Sequence, residues 1–294
     1  MPAQVKKPNK DALYFMLTVA LCLVVGTSSA ETGVKWAIIG ATILLFILSR
    51  LGYLFFSLGA KELKKGSDKA YFYFAKALYF KIGREQRILI GTAFMMHGEV
   101  DKGILVLEKA SKGMIAQNLY YLAQGNIALG RWKQGNLSEA ISILEKLKER
   151  GCDETNMYLN LSTIYLQNGD LDKAAEILDH CRRTKKTGDG FTDNEGHLAI
   201  LEGDWEKASK IYKKLLEKRE PKFPEAYVHA AQVSIHEKDI NKARGLLETA
   251  LEKPFVFTSL YSKDYIRNLI EELGEPEEMD KRSREISLGI RGGE

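Results

Sequence analysis

Apolar residues recur with a helical period through most of the chain, in blocks that each begin at a turn. The block at residues 168–178 reads NGDLDKAAEIL, and close versions of it return as HGEVDKGILVL, QGNLSEAISIL, EGDWEKASKIY and EKDINKARGLL. Aligned, these blocks put Gly98, Gly135, Gly169, Gly203 and Lys238 in one column, with steps of 37, 34, 34 and 35 residues. A glycine can take the left-handed conformation that ends a helix. The next residue, Glu99, Asn136, Asp170, Asp204 or Asp239, can cap the helix that follows. A small-residue column comes next: Gly103, Ala140, Ala174, Ala208 and Ala243. Three, four and seven residues further on are apolar or small positions, for example Ile177, Leu178 and Cys181. Spacing of i, i+3, i+4 and i+7 is one face of a helix. That face is wider than one partner helix covers, so the pattern predicts paired helices that must stack, pair upon pair.

The N-terminal pattern is different, because it is continuous rather than periodic. Residues 12–25 (ALYFMLTVALCLVV) and 36–49 (WAIIGATILLFILS) are uncharged, and each extends toward the roughly 20 residues a bilayer requires. The eight Ile, Leu and Phe residues of 38–48 favour insertion by about 0.3 to 0.6 kcal/mol each. Arg50 lies near the end of the run, where its stem can snorkel to the interface beside the aromatic anchors Trp36 and Tyr53. Lys6, Lys7 and Lys10 precede the first run; Arg50, Lys61, Lys64, Lys65 and Lys69 follow the second. The connector between them holds only Lys35. By the cytoplasmic bias of Lys and Arg, both flanks lie inside and the connector outside. The first run, with Ser28 and Ala30 after it, also fits a cleavable signal peptide; cleavage would leave the second span and the same cytoplasmic side.

Composition narrows the function classes. The net charge is +4, and residues 1–69 hold nine Lys or Arg against four Asp or Glu. The excess basic charge therefore sits by the apolar runs and leaves no basic stripe for nucleic acid. Cys22, Cys152 and Cys181 form no CxxC and are odd in number, against a disulfide framework or a zinc ribbon. His97, His180, His197, His229 and His236 lack ligand spacing, and His229 and His236 share a face only if one helix carries both. Residues 189–195 have Phe191 where a calcium loop needs an oxygen. Phosphate-loop, nucleophile-elbow and dinucleotide motifs do not occur, and both Cys22 and Cys181 read as small apolar residues. The sequence thus predicts a non-enzymatic protein without cofactor, metal or small-molecule substrate.

Over roughly residues 67–253, and best at 158–181, the chain resembles the tetratricopeptide repeat family, specifically its membrane-anchored bacterial type. Tyr158, Leu161, Ser162, Tyr165, Ala174, Leu178 and Cys181 fall at the spaced aromatic, Leu, small, Tyr, Ala, aromatic and Ala positions of the motif. Arg131, Ala199 and Ser234 depart from it, and GDGFTDNEG at 188–196 reads as an irregular start to the fourth unit. Upstream, Ala70, Phe74 and Ala77 repeat the second-helix spacing, as half of a unit whose partner is the end of the second apolar run. The resemblance implies a groove lined by the first helices. Carried over position by position, its partner-binding candidates are Thr92, Met95, Met96, Leu129, Trp132, Leu159, Thr163, Gln167, His197, Val228, Gln232 and His236, with Trp132 and the Met pair as anchors. A clamp for acidic chaperone tails is disfavoured, since its positions hold Gly125 and Leu129, or Leu159 and Thr163.

The resulting expectation is an all-α chain: a transmembrane helical hairpin, a repeat solenoid of about five pairs, and a capping helix. Its segments are a basic N-terminus (1–11), two spans (about 12–30 and 34–58), a juxtamembrane basic segment with the half-repeat (59–82), repeats (83–257), and the cap with a charged tail (258–294). The cap is read from Leu260, Tyr261, Tyr265, Leu269 and Leu273. The expected role is an integral membrane adaptor with a cytoplasmic repeat domain that docks a protein or peptide. The alternative is a structural or assembly subunit of an envelope or secretion complex, contacting partners mainly through its spans.

Overall fold

The computed structural model describes residues 10–274; the expected charged tail beyond 274 and the first nine residues lie outside the described residues. Among the described residues the chain is all-α, with fourteen helices and no strand. It divides into two compact units, residues 1–97 and 98–294.

In the first unit, α1 (Lys10–Thr27) folds back along α2 (Thr32–Lys64), with the Phe15 and Phe46 rings 6.1 Å apart. Helix α2 runs unbroken for 33 residues, about 50 Å at 1.5 Å per residue. Its two halves meet different surroundings. The apolar window of α2 is almost wholly outward-facing, whereas Gly52 and Gly59 are buried. Against that second half packs α3 (Lys69–Tyr79), burying Ala70, Phe74 and Ala77. The close approach depends on Gly59, where a Cβ would run into the Phe74 ring at 2.5 Å. Helix α4 (Arg84–Met96) completes this unit, with Ile90 and Phe94 joined to the same core.

The second unit is a stack of helix pairs: α5 (Val100–Ser111), α6 (Gln117–Lys133) with α7 (Leu137–Glu149), α8 (Thr155–Asn168) with α9 (Leu171–Arg183), α10 (Asp189–Leu201) with α11 (Trp205–Lys218), and α12 (Glu225–His236) with α13 (Ile240–Glu252), closed by α14 (Lys263–Glu272). The seventeen residues of α6 account for the long first step of the period. Every member of the turn column has positive φ, from 63° at Lys238 to 102° at Gly98. After four of these turns the next amide bonds back across the helix end, as Asp170 N–H does to Tyr165 O at 3.0 Å, which satisfies a helix-end carbonyl. Side-chain capping is more selective than the acids suggest. Asp204 and Asp239 accept from Lys207 N and Lys242 N, but Glu99, Asn136 and Asp170 make no such bond. The small-residue column is fully buried, as are Leu107, Leu144, Leu178, Tyr212 and Leu247 four residues on. Burying each such Leu contributes on the order of 2 kcal/mol.

Two expectations fail. The stretch 188–196 is not irregular; it is helical from Asp189, because Gly188 supplies the N-cap and Phe191 turns into the core. The cap does not begin at Leu260. Helix α14 starts at Lys263, where Ser262 Oγ accepts from Tyr265 N at 3.1 Å, and residues 253–262 are a loop.

Candidate partner-binding groove

The first helices α6, α8, α10 and α12 each use one side for packing and turn another toward a common face. The sequence-predicted residues distribute unevenly over it. Thr92, Met95 and Met96 lie on α4, in the other unit; Met95 is buried, Met96 is 61% exposed, and Thr92 donates to Ile88 O. Trp132 is buried, its Nε1 donating to Gln167 Oε1, so two expected contact residues satisfy each other. Val228 has no exposed surface. His236 stacks on Trp205 at 4.1 Å, and His229, seven residues earlier on the same helix, is fully buried. Leu129, Leu159 and Thr163 do line the cavities of the common face, and Gln232 reaches the Tyr261 hydroxyl.

What fills much of this face is the chain itself. Pro254 ends the run of α13, and the loop 253–262 crosses toward α6. Val256 N donates to Ser259 Oγ and Ser259 N to Val256 O, closing a tight turn at Phe257 and Thr258. Lys133 Nζ, on α6, donates to Ser259 O at 3.0 Å and lies 6.0 Å from the Phe257 ring centroid. Glu225, at the start of α12, accepts from Leu260 N at 2.7 Å. Leu260 packs on the core that includes Trp132 and Leu161. The Tyr261 ring then stacks on Tyr265 of α14.

Beneath the loop is a buried polar network. Asp193 is 4% exposed and His229 0%. Asp193 Oδ1 lies 2.9 Å from His229 Nδ1 and accepts from the Tyr212 hydroxyl at 3.1 Å. A carboxylate facing Nδ1 makes that nitrogen a donor, and on the far side of the ring Nε2 lies 3.0 Å from the Tyr261 hydroxyl. Tyr212 reaches Asp193 only because residue 196 is glycine: a Cβ there would collide with the Tyr212 ring. Asn194 donates to Ser162 Oγ at 2.8 Å and Thr163 Oγ1 at 2.9 Å, tying α10 to α8. His197 stacks on His229 at 4.0 Å; burial, reinforced by His229, pushes its pKa down to about 2. Burial raises Glu225 and Tyr261 and lowers Lys133, the last against the pull of Glu225. Sequence reasoning passed over this network. The available signal was the separation of 36 residues between Asp193 and His229, close to one repeat, which sets them on successive first helices.

Beyond the loop tip the face is open. A cleft of about 640 Å³ lies between α6 and α8, lined by Leu122, Leu129 and Leu159 together with Asn118, Asn156 and Asn160, with loop residue Thr258 at its margin. The side-chain amides of those three asparagines have no hydrogen-bond partner among the described residues. An apolar surface edged by unpaired amides can accept side chains while bonding to peptide groups. No group of three or more His, Cys, Asp or Glu suited to a metal occurs among the described residues.

Two tetratricopeptide repeat models match the chain, at residues 126–180 and 199–255. Among solved structures it is similar to a tetratricopeptide repeat protein of Parabacteroides merdae, with TM-score 0.62, 14% identity, and coverage of 90% of this chain and 100% of that one. A thermophilic tetratricopeptide repeat protein of Thermus thermophilus is also similar, with TM-score 0.52, 18% identity, and coverage of 65% and 98%. No curated protein matches the chain. Regular left-handed turns, buried small-residue columns and stacked pairs agree with the two family matches: the chain carries tetratricopeptide repeats at residues 126–180 and 199–255.

Proposed function

We propose that the protein is a membrane-anchored adaptor that docks a protein partner in the face formed by its first repeat helices, on the cytoplasmic side. The observation that carries the docking is the cleft between α6 and α8, apolar at Leu122, Leu129 and Leu159 and edged by unpaired asparagine amides. Apolar pockets beside groups that bond to main chain are how an extended segment is held. Of the sequence candidates, Leu129 and Leu159 line this cleft, and Thr163 belongs to the cavity beside it. Tethering supports function by raising the local concentration of a weakly bound partner.

The anchor reading rests on α2, which is long and apolar enough to cross a bilayer by length and composition. We assign its first half, residues 32–51, to the lipid. The second half is already covered by α3 and exceeds what a hydrocarbon core of about 30 Å requires. Lys61, Lys64 and Lys65 then stand on the cytoplasmic side.

Two measurements test this. With Met114→Cys, a residue 99% exposed in the second unit, an impermeant maleimide should label only permeabilised cells, and the protein should resist carbonate extraction. Labelling of intact cells overturns the topology. A photo-crosslinker at Asn156 should trap a partner in membranes, and Leu122→Ser with Asn160→Ala should reduce that trapping at least tenfold. Trapping that survives these changes but is lost when α1 and α2 are replaced by an unrelated span would favour the alternative, an assembly subunit that works through its spans.

A further inference from the structure

The loop 253–262 binds the groove as a peptide would. It has no regular secondary structure, yet Lys133 donates to the carbonyl of Ser259 and Glu225 accepts from the amide of Leu260, the two groups of one peptide bond. These contacts address main chain, so they do not depend on the loop's own sequence. Side-chain selection comes from two further places: Leu260 sits beside Trp132, Gln167 and Leu137, and the Tyr261 hydroxyl meets His229 Nε2. The fit is incomplete. A cavity of about 310 Å³ remains beside the loop, lined in part by Trp132, Thr163, Asn194 and Val256. The seat is also shallow, since of residues 253–262 only Ser259 is buried while Phe255, Leu260 and Tyr261 are partly buried against the cores, and helices at both ends hold the loop whether or not its middle is seated. A segment with few buried groups opens at low cost.

We propose that residues 254–261 are a resident stand-in for the partner: the face of α6, α8, α10 and α12 takes an extended, uncharged segment carrying a leucine-like residue followed by a tyrosine-like one, and such a segment displaces the loop. This rests on the docking reading above and adds the chemistry of the ligand and its internal competitor. A partner that occupies the open α6–α8 cleft would continue into the loop's seat, past Thr258 at the margin.

The probe is a fluorescent synthetic peptide with the sequence of residues 253–262, KPFVFTSLYS. Its anisotropy is read against the full chain in detergent micelles, against an opened chain (Val256→Ser, Phe257→Ser, Leu260→Ser and Tyr261→Ser), and against Tyr261→Phe, which removes only the hydroxyl that meets His229 and Gln232. Circular dichroism melts establish that each variant is folded. The opened chain should bind the peptide at least tenfold more tightly than the unaltered chain, and Tyr261→Phe about threefold more tightly. Adding Lys133→Met to the opened chain should weaken its binding at least fivefold. Equal binding to folded opened and unaltered chains, or binding indifferent to Lys133→Met, overturns the inference. Should the opened chain not fold, unchanged affinity in Tyr261→Phe overturns it alone. Cleft-dependent partner trapping without any peptide binding removes this inference and leaves the docking reading in place; loss of both removes both.

Discussion

The second helices of the pairs and the first helices solve different problems with the same period. In α7, α9, α11 and α13 an alanine meets the neighbouring helix, a larger residue four positions on fills the gap, and the buried side chains are apolar except for Tyr212, whose hydroxyl reaches Asp193. In α8, α10 and α12 the buried set includes Ser162, Asp193, Asn194, Glu225, His229 and Ser234. Apolar burial is non-directional and tolerant, whereas a buried polar group demands a partner at a fixed distance. The scaffold is therefore generic on one side and specific on the other, and the specific side is where the loop sits.

This contrast can be broken at several points. The largest effect is expected from the second helices: Leu178→Ala should destabilise the second unit by about 2–5 kcal/mol, read from the urea midpoint, through a cavity the stack cannot close. Asp193→Ala acts on the first helices. It strands His229 and Tyr212 without their acceptor and should cost about 3 kcal/mol, in the same assay, while Asp193→Asn retains part of it.

The next effect depends on pH. Above pH 6.5 the His197 ring is neutral whether the chain is folded or not. Below that value the unfolded ring takes a proton that the folded ring refuses until about pH 2, so stability falls as pH falls. The loss approaches about 1.4 kcal/mol per pH unit and reaches about 2 kcal/mol at pH 5. Urea midpoints at pH 7 and pH 5 should differ by that much more in the unaltered chain than in His197→Gln. Asp204→Ala removes one cap and should cost about 1 kcal/mol by thermal melt, with the uncapped Asp170→Ala costing less. The smallest change in stability belongs to Leu122→Ser, which is 46% exposed: its melt should shift within about 0.5 kcal/mol, although together with Asn160→Ala it lowers partner trapping tenfold. A large shift in that melt would mean that the cleft is core and not a docking surface.

Much of the fold was legible because it is local. The turn column needs only a residue that tolerates positive φ, and even Lys238 took that place, at 63°, because the helices on both sides demanded it. The half-repeat of Ala70, Phe74 and Ala77 was legible from spacing alone. Spacing misled at the C-terminus. Leu260 and Tyr261 are in phase with Leu269 and Leu273, yet Pro254 and the turn at Ser259 divert them into the groove before α14 begins. Of the expected contact residues, Trp132 and Gln167 bond to each other across 35 positions, an outcome no helical wheel contains.

By itself the sequence determined the period, the turns, the small-residue columns and the apolar N-terminal helix, since each depends on residues within a few turns of one another. Only the tertiary structure decided which polar residues are buried together, that Asp193, His229 and Tyr261 form one chain of bonds, and that the connection after α13 lies over the first helices. Those outcomes depend on distances between side chains dozens to more than a hundred residues apart, which stacking fixes and local pattern does not encode.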